Sequence, residues 1–268
     1  MNPRLNPAEI SQALNRLCFT PTYQLWVDSC VTSTNDRAKH HPPSDDWIII
    51  TAEEQTAGRG RFGRVWDSPN GGHLYLSIRM IFPRKDHSVA GLSLLAGVMI
   101  AMLLDDLGVP SENLGLKWPN DVWFAGKKLS GILIELEKAD AENWYVIVGI
   151  GLNVHEVYPE NMSRISLCQV MPSVPWNRNL IIAQMLARWN VLVTEYKQQG
   201  LSPWMGYWKS KDILLNKWIT LHQAQKKVSG ISLGITTRGE LRLQLLNGEV
   251  INVSSGEASL GGQGVYLS

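Results

Sequence analysis

The sequence has 268 residues, a formal net charge of +1 and 3 cysteines. Its 44% hydrophobic and 18% charged residues are typical of a folded globular chain and exclude a disordered one. The near-neutral charge excludes a global attraction to nucleic acid or anionic lipid, and the three cysteines, none in a C-x-x-C pair, indicate neither a disulfide framework nor a zinc site.

The first predicted elements are short. No apolar run follows the charge at Arg4, so the N-terminus does not resemble a secretory signal. Residues 8–16 are compatible with a short helix, and the compact apolar run at 47–51 predicts a buried strand. Residues 74–80 alternate apolar with other side chains, which predicts a strand with one buried face.

Two helices and a hairpin are predicted next. Residues 90–107 are apolar nearly all round and stop at Gly-Val-Pro, which indicates a buried helix. Its most hydrophobic part, residues 92–104, is shorter than the ~20 residues needed to span a bilayer, so we expect a soluble, cytoplasmic protein. Residues 132–137 and 145–148 predict neighbouring strands of a hairpin, and 179–200 predicts an amphipathic helix.

The character of the chain changes after about residue 216. Short strand-like runs follow at 218–222, 227–231, 241–246 and 250–253, separated by Arg-Gly and Asn-Gly turns. These runs predict a small antiparallel barrel. We therefore expect an α+β fold: a mixed sheet with packed helices over residues 1–215, then a small β-barrel domain over 216–268.

An arginine-glycine segment is the most unusual stretch of the sequence. Residues 58–64 read Gly-Arg-Gly-Arg-Phe-Gly-Arg. Glycines let backbone N–H groups approach a ligand, and guanidinium groups bind phosphate or carboxylate through paired hydrogen bonds. The segment therefore predicts a loop that binds an anion.

Three other interpretations of this segment are less well supported. It matches the dinucleotide fingerprint G-x-G-x-x-G, but it runs into Trp-Asp-Ser-Pro, a poor helix start, where that fingerprint requires a helix. A single short copy inside a folded chain is an unlikely RNA-binding segment. A solvated basic turn would not require this density of glycine and arginine.

A second segment begins with Lys-Trp-Pro-Asn-Asp at residues 117–121 and continues through Lys128 to Gly131 and a strongly apolar strand. A lysine at a strand end can project into a cleft, and phosphoryl chemistry depends on positive charge where negative charge develops. Asp121 could hold a metal-bound phosphate or neutralise Lys128. Lys117 and Lys127 are expected to be ordinary surface lysines.

Taken in order, the sequences GRGRFGR, KWPND, KLSGILIE and GIGLN, with Ser33-Thr34-Asn35 before them, strongly resemble biotin protein ligases. The resemblance runs from about residue 28 to the C-terminus. It implies a class II synthetase-like catalytic domain followed by an SH3-like barrel, which agrees with the elements predicted above.

The resemblance implies an enzyme, a biotin–[acetyl-CoA-carboxylase] ligase, that works in two steps. Biotin reacts with ATP, accompanied by Mg²⁺, to give biotinyl-5′-adenylate and diphosphate. A lysine of a biotin carboxyl carrier protein, a subunit of acetyl-CoA carboxylase, then takes the biotinyl group and releases AMP. Such a chain could form a homodimer, and we expect no membrane partner.

The same resemblance implies roles for individual residues. Lys128 and Arg61 are the expected catalytic residues, and no metal ligand is assigned. The residues expected to bind biotin or the adenylate are Ser33, Thr34, Asn35, Gln55, Gly58, Arg59, Gly60, Arg61, Trp66, Asn120, Asp121, Lys128, Gly131 and Asn153. Simpler interpretations stay open for Ser33 as a helix N-cap, for Trp66 as a core residue and for Asn153 as a turn residue.

The chain departs from the family pattern at three places. About 30 residues precede Ser33, too few for the DNA-binding domain that many relatives carry, so we expect no binding to DNA. Phe62 replaces a further basic residue of some relatives. Leu233 stands where relatives often have an arginine that reaches the nucleotide, which puts a barrel contribution to ATP binding in doubt.

Two other functions compete with a biotin ligase. A lipoate or octanoate ligase or transferase shares the domain type, but would not be expected to have the arginine-glycine loop before Lys-Trp-Pro-Asn-Asp. A non-catalytic nucleotide or nucleic-acid binding module would bind with a steep salt dependence and without turnover.

Overall fold

A computed structural model describes residues 4–84, 89–223 and 226–260 of the chain. The helices are α1 (Pro7–Arg16), α2 (Thr34–Lys39), α3 (Ala90–Asp106), α4 (Leu167–Val170), α5 (Arg178–Gln199) and α6 (Met205–Lys211). The strands are β1 (Tyr23–Asp28), β2 (Trp47–Ala52), β3 (His73–Pro83), β4 (Leu114–Lys117), β5 (Asp121–Phe124), β6 (Lys127–Lys138), β7 (Asn143–Asn153), β8 (Trp218–Gln223), β9 (Lys226–Ile235), β10 (Leu241–Gln244), β11 (Val250–Val253) and β12 (Glu257–Leu260).

Two separate sheets organise these strands. A seven-stranded sheet has the order β1-β2-β3-β7-β6-β5-β4, in which β1 and β2 are parallel and the other pairs antiparallel. A five-stranded antiparallel sheet follows, with the order β11-β10-β9-β8-β12. The predicted fold, a mixed sheet with helices and then a small antiparallel unit, is confirmed. The domain boundary at residues 215/216 stays a prediction, and its last residues, 261–268, lie outside the described part.

The main hydrophobic core lies between one face of the large sheet and helices α3 and α5. Even-numbered residues of β3, such as Leu76 and Ile78, pack into this core with apolar side chains of α3. The apolar sequence of α3 thus fits its place between sheet and helices, and the predicted buried helix is confirmed. The helix predicted at 179–200 is observed as α5, although its apolar Leu180 and Val191 are exposed.

The opposite face of the large sheet carries α2. Beneath this helix lies a second small apolar cluster of Ala38, Ile48, Ile50 and Ile147. Because α2 and neighbouring loops cover this face, β3 is buried on both sides, including Ser77 and Arg79. The expectation of a single buried face for residues 74–80 was therefore wrong, since period-two alternation cannot tell a solvated face from a covered polar one.

None of the helices in the described part of the chain combines the length and the apolar character required to cross a bilayer.

Candidate functional site

A cavity opens on the α2 side of the large sheet, where several segments distant in sequence meet. Its walls are the start of α2, the arginine-glycine loop, the turn between β4 and β5, the middle of β6 and β7, and the start of β12. The empty space between these walls, including the part open to solvent, is about 940 Å³.

The uncharged wall of the cavity is built at the start of α2. The side-chain carbonyl of Gln55 accepts from the N–H of Thr34 at 2.9 Å and from its hydroxyl at 3.1 Å. Asn35 is held from both sides, because its Nδ2 donates to Glu135 at 2.7 Å and its Oδ1 accepts from Ser77 at 2.6 Å. This wall therefore presents fixed amide and hydroxyl groups rather than charges.

Ser33 precedes α2 in extended backbone, as an N-cap residue does, and is buried. Its hydroxyl nevertheless makes no capping hydrogen bond to the helix. The capping interpretation therefore holds for the backbone of Ser33 alone, while its side chain lines the cavity.

Glycines of β6 and β7 form the floor of the cavity. A Cβ at Gly149 would lie 2.3 Å from Oδ1 of Asn35, and one at Gly151 would lie 2.4 Å from the indole of Trp66. A Cβ at Gly131 would lie 2.9 Å from the same indole. These separations are shorter than van der Waals contact, so only glycine lets Asn35 and Trp66 lie against the strands.

Trp66 forms the apolar side of the cavity and has a polar edge. Its ring lies against the glycines of the floor and 5.2 Å from the ammonium of Lys128. Its Nε1 is buried and has no hydrogen-bond partner among the described residues. Trp66 therefore lies in the wall of the cavity rather than in the main core.

The arginine-glycine loop reaches over the cavity and is held by carboxylates. Arg59 forms a paired ion bridge with Asp36 of α2, with one Nη2–Oδ1 distance of 2.6 Å, and approaches Glu135 at 3.3 Å. The pKa of Asp36 is lowered because the Arg59 guanidinium hydrogen-bonds its carboxylate. The loop is thereby tied to the same helix that carries Thr34 and Asn35.

The other loop arginines contact the small sheet. Arg61 donates to the carbonyl of Gly256 at 3.1 Å, and Arg64 pairs with Glu257 of β12. Burial lowers the pKa of Arg61, although guanidinium remains charged at neutral pH. The loop therefore connects α2 on one side with the C-terminal sheet on the other.

Lys128 lies at the start of β6 with its ammonium 2.7 Å from Oδ1 of Asp121 on β5. Of the two roles considered for Asp121, the geometry agrees with the neutralisation of Lys128. The cavity wall also includes Lys117, whose ammonium lies 4.6 Å from the ring of Trp123 and whose pKa is lowered by burial. The expectation that Lys117 is an ordinary surface lysine was therefore wrong, whereas Lys127 reaches the carbonyl of Glu160 outside the cavity.

The C-terminal sheet takes part in the site through β12. Glu257 and Ala258 line the cavity, and the indole N–H of Trp118 donates to the carbonyl of Gly239 at 3.0 Å. Leu233 is not among the lining residues. No sequence motif marked these contacts, because they depend on how the second sheet packs on the first.

A second, more open cavity lies on the other side of Lys128. It shares Trp66 and Lys128 with the first cavity and is also lined by Asn153 and Arg164. Asn153 donates to the carbonyl of Lys128 at 3.3 Å and to that of Ile165 at 3.0 Å. Lys128 and Trp66 thus line both cavities.

The predicted site residues largely come together. All of them except Gly58 and Asn153 line the first cavity. Gly58 lies behind the loop, where a Cβ would meet both Ser68 and the carbonyl of Trp66 at 2.5 Å, so it serves packing. Lining residues that were not predicted are Phe62, Arg64, Val65, Lys117, Trp118, Pro119, Ile132, Leu133, Gly149, Ile150, Gly151, Glu257 and Ala258.

Some of these omissions carried a signal in the sequence. Gly149 and Gly151 alternate inside an otherwise apolar strand, which is typical of a close approach by another group. Asp36 and Glu135 carried no such signal, since their importance comes from contact with Arg59. Within the described residues, no cluster of three or more His, Cys, Asp or Glu side chains could hold a metal ion.

Comparison with known proteins gives two family matches. Residues 27–153 match the biotin/lipoate A/B protein ligase family, and residues 214–261 match the biotin protein ligase C-terminal domain. Together these segments contain the loop, Lys128 and the contributing strand of the small sheet.

Individual relatives agree with these matches. The bifunctional ligase/repressor BirA of Salmonella typhimurium is 34% identical over 78% of this chain, and the chain spans 65% of that relative's length. The biotin–[acetyl-CoA-carboxylase] ligase of Mycobacterium tuberculosis is 30% identical over 79% of this chain and 78% of its own. The solved biotin protein ligase of Aquifex aeolicus, in complex with biotin and ATP, superposes with a TM-score of 0.75 at 30% identity, covering 89% of this chain and 97% of its own.

Proposed function

Because this chain belongs to the biotin/lipoate A/B protein ligase family, among its biotin protein ligases, we propose that it is an ATP-dependent biotin ligase. It activates biotin as biotinyl-5′-adenylate and transfers the biotinyl group to a lysine of a biotin carboxyl carrier protein. The observation that carries the proposal is the convergence of Arg59, Arg61 and Lys128 on one cavity that also has an uncharged polar wall at the start of α2.

The uncharged wall suits the ring end of biotin. A ureido group has two N–H donors and one strong acceptor oxygen, and Thr34, Asn35 and Gln55 offer complementary amide and hydroxyl groups. The sulfur ring and alkyl chain require apolar walls, which Trp66 and Leu133 supply. We propose that the carboxylate end points toward Lys128.

The first step needs charge stabilisation more than proton transfer. A carboxylate is already ionised at neutral pH, so its oxygen can attack the α-phosphorus of ATP without a protein base. The bond from this phosphorus to the bridging oxygen breaks, and diphosphate leaves. Lys128 and Arg61 stabilise the negative charge that develops on the phosphoryl oxygens, and no nucleophile–base pair is needed.

The second cavity offers a place for the nucleotide. If the acyl phosphate lies beside Lys128, the acyl part extends into the first cavity and the adenosine into the second, since both cavities share that lysine. Asn153 then lies near the nucleotide, as the family resemblance implies, and its two hydrogen bonds also hold the backbone of Lys128.

In the second step, a neutral lysine amine of the carrier attacks the acyl carbon of the mixed anhydride. An amide forms, the acyl–oxygen bond to AMP breaks, and the amine proton leaves to solvent. The arginine-glycine loop keeps water from the anhydride during this interval.

Mg²⁺ would bind together with ATP and reduce the repulsion among the phosphate charges. This ion usually keeps several waters and takes only one or two protein carboxylates. Among the described residues that line the cavity, the carboxylates are those of Asp121 and Glu257, which are already paired with Lys128 and Arg64, so no metal ligand is assigned.

Carrier-protein lysines are the acceptors expected from the biotin ligase relatives. We also propose that this chain does not bind DNA, which its net charge of +1 supports. A homodimer and the two domains 1–215 and 216–268 stay predictions.

Biotin-dependent exchange between ATP and labelled diphosphate tests the proposed reaction. We expect exchange with biotin, none without an acid, and none with lipoate. Exchange driven by lipoate alone would assign the chain to the other branch of the family. Heat from nucleic acid but not from biotin in calorimetry would instead indicate a non-catalytic binding module.

A further inference from the structure

An arginine is buried in the middle of the large sheet, on the side that carries the site. Arg79 belongs to β3, which lies between β2 and β7, and only 2% of its surface is exposed. A buried guanidinium costs free energy unless its charge and its donors are compensated. Arg79 forms no salt bridge within the described residues, so other groups must offset this cost.

The compensating groups belong to the segment that follows α2. Arg79 donates from Nη1 to the carbonyl of His41 and from Nη2 to the carbonyl of Pro42, both at 2.6 Å. The ring of Tyr145 lies 4.5 Å from the guanidinium carbon. Burial lowers the pKa of Arg79, but the group keeps its charge at neutral pH. Both terminal nitrogens of Arg79 are thus bound to the 41–42 segment.

Ser77 holds the opposite end of the same helix. It lies two residues from Arg79 on the same face of β3, because side chains of a strand alternate between faces. Its hydroxyl is 2.8 Å from that of Thr34 and 2.6 Å from Oδ1 of Asn35. One strand therefore fixes both the start of α2 and the chain just beyond its end.

Helix α2 has only 6 residues and cannot define its own position. Isolated helices of this length are unstable in water, so the orientation of α2 depends on its tertiary contacts. Its start supplies Thr34 and Asn35 to the cavity, and Asp36 binds the loop through Arg59. A shift at the far end of α2 would therefore move the uncharged wall of the site.

We propose that Arg79 is a positioning residue for biotin recognition, which acts by clamping the 41–42 segment and thereby orienting α2. The proposal rests on the proposed function, since it assigns the start of α2 to the ring end of biotin. The proposal predicts that loss of Arg79 weakens the binding of biotin but not that of ATP, because the second cavity, where we place the nucleotide, contains no residue of α2.

The test compares Arg79→Met with Arg84→Met. Arg84 lies just past β3 and makes the same kinds of contact, to the carbonyl of Asn143 at 3.3 Å and to the ring of Trp144 at 4.0 Å, but none of these is to α2. Calorimetry gives the Kd for biotin and for ATP, and hydrogen exchange gives the protection of the amides at 34–39.

Arg79→Met is expected to raise the biotin Kd by about tenfold, change the ATP Kd by less than about twofold, and speed exchange in α2. Arg84→Met should keep the wild-type biotin Kd. Arg79→Lys, which keeps the charge but not the planar paired donors of the guanidinium, should be intermediate. An unchanged biotin Kd in Arg79→Met, or an equal rise for biotin and ATP, would overturn the proposal.

The experiment also distinguishes failure of the proposed function from failure of the clamp. If the wild type binds no biotin, the proposed function fails, whereas unchanged α2 exchange in Arg79→Met refutes the clamp regardless of ligand. If Arg79→Met does not fold, Arg79→Lys decides, and wild-type values for both biotin Kd and α2 exchange in that variant refute the clamp.

Discussion

Lys128 and Asp121 face each other across paired strands, with Nζ and Oδ1 2.7 Å apart at the point where two cavities meet. The carboxylate keeps the ammonium turned toward the first cavity, where an acyl phosphate would form. The pair is half-buried, so its geometry is set by the hairpin of β5 and β6 rather than by solvent.

Replacing Lys128 by alanine should abolish most adenylation. The substitution removes the ammonium from the place where negative charge develops on the phosphoryl oxygens. It also leaves the Asp121 carboxylate to repel the phosphates, so the exchange rate should fall by a factor of about 10²–10³. Biotin-dependent ATP–diphosphate exchange measures this. Lys127→Ala is the matched control, since its ammonium contacts Glu160 outside the cavity, and it should retain wild-type exchange. Wild-type rates in Lys128→Ala would remove this lysine from the mechanism.

Adding one methyl group at Gly149 should weaken biotin binding. The new Cβ would lie 2.3 Å from Oδ1 of Asn35, so the amide must move away. Overpacking of this kind costs about 1–3 kcal/mol of stability, and because Asn35 is displaced from the cavity wall, calorimetry should also show weaker biotin binding. Gly206→Ala is the control, because nothing lies within 4 Å of its added Cβ. Equal biotin affinity in both variants would argue against Asn35 as part of the biotin wall.

Removing the Arg61 side chain should shorten the lifetime of bound adenylate. Arg61 links the loop to the carbonyl of Gly256 and supplies charge to the cavity, so its loss opens one side of the site. A filter assay of labelled adenylate should show faster release from Arg61→Ala than from Arg238→Ala, which changes an exposed arginine outside the cavity. Equal retention in these variants would contradict this role.

Stability should fall in mild acid because of His73 and His155. Burial is the main cause that lowers the pKa of each from 6.5. In His73, Nδ1 accepts the N–H of Val154 at 3.1 Å, so protonation there would break a buried hydrogen bond. As the pH falls, the histidines of the unfolded chain bind protons at a higher pH than the buried ones do. The stability that the neutral histidines contribute is therefore fully present above about pH 6.5 and is lost as the pH falls toward their lowered pKa values in the folded protein.

Urea unfolding at about pH 7.5 and about pH 5.5 tests this prediction. The wild type should be less stable at the lower pH, and His155→Gln should show a smaller difference because one titrating group is gone. An equal pH dependence of the free energy of unfolding in the wild type and in His155→Gln would contradict this role of His155.

Much of the candidate site was predictable because its chemistry is concentrated in short segments. Arg59 and Arg61 stand in a run whose glycine and arginine content has few structural explanations, whereas Lys128 was singled out by its place before a strand and by the family resemblance. Lys117, by contrast, could not be distinguished from a surface lysine, since its burial depends on the packing of β4 and β5 near the small sheet. Glu257 was missed for the same reason.

The sequence by itself determined which chemical groups are available and the class of fold, since apolar periodicity and turn residues act over a few neighbouring positions. Tertiary structure alone decided which groups meet. Asp36 and Glu135 bind Arg59, β12 completes the cavity, and Arg79 holds the end of α2. These contacts join residues far apart in the chain, and their energies depend on burial and distance, which no local pattern records.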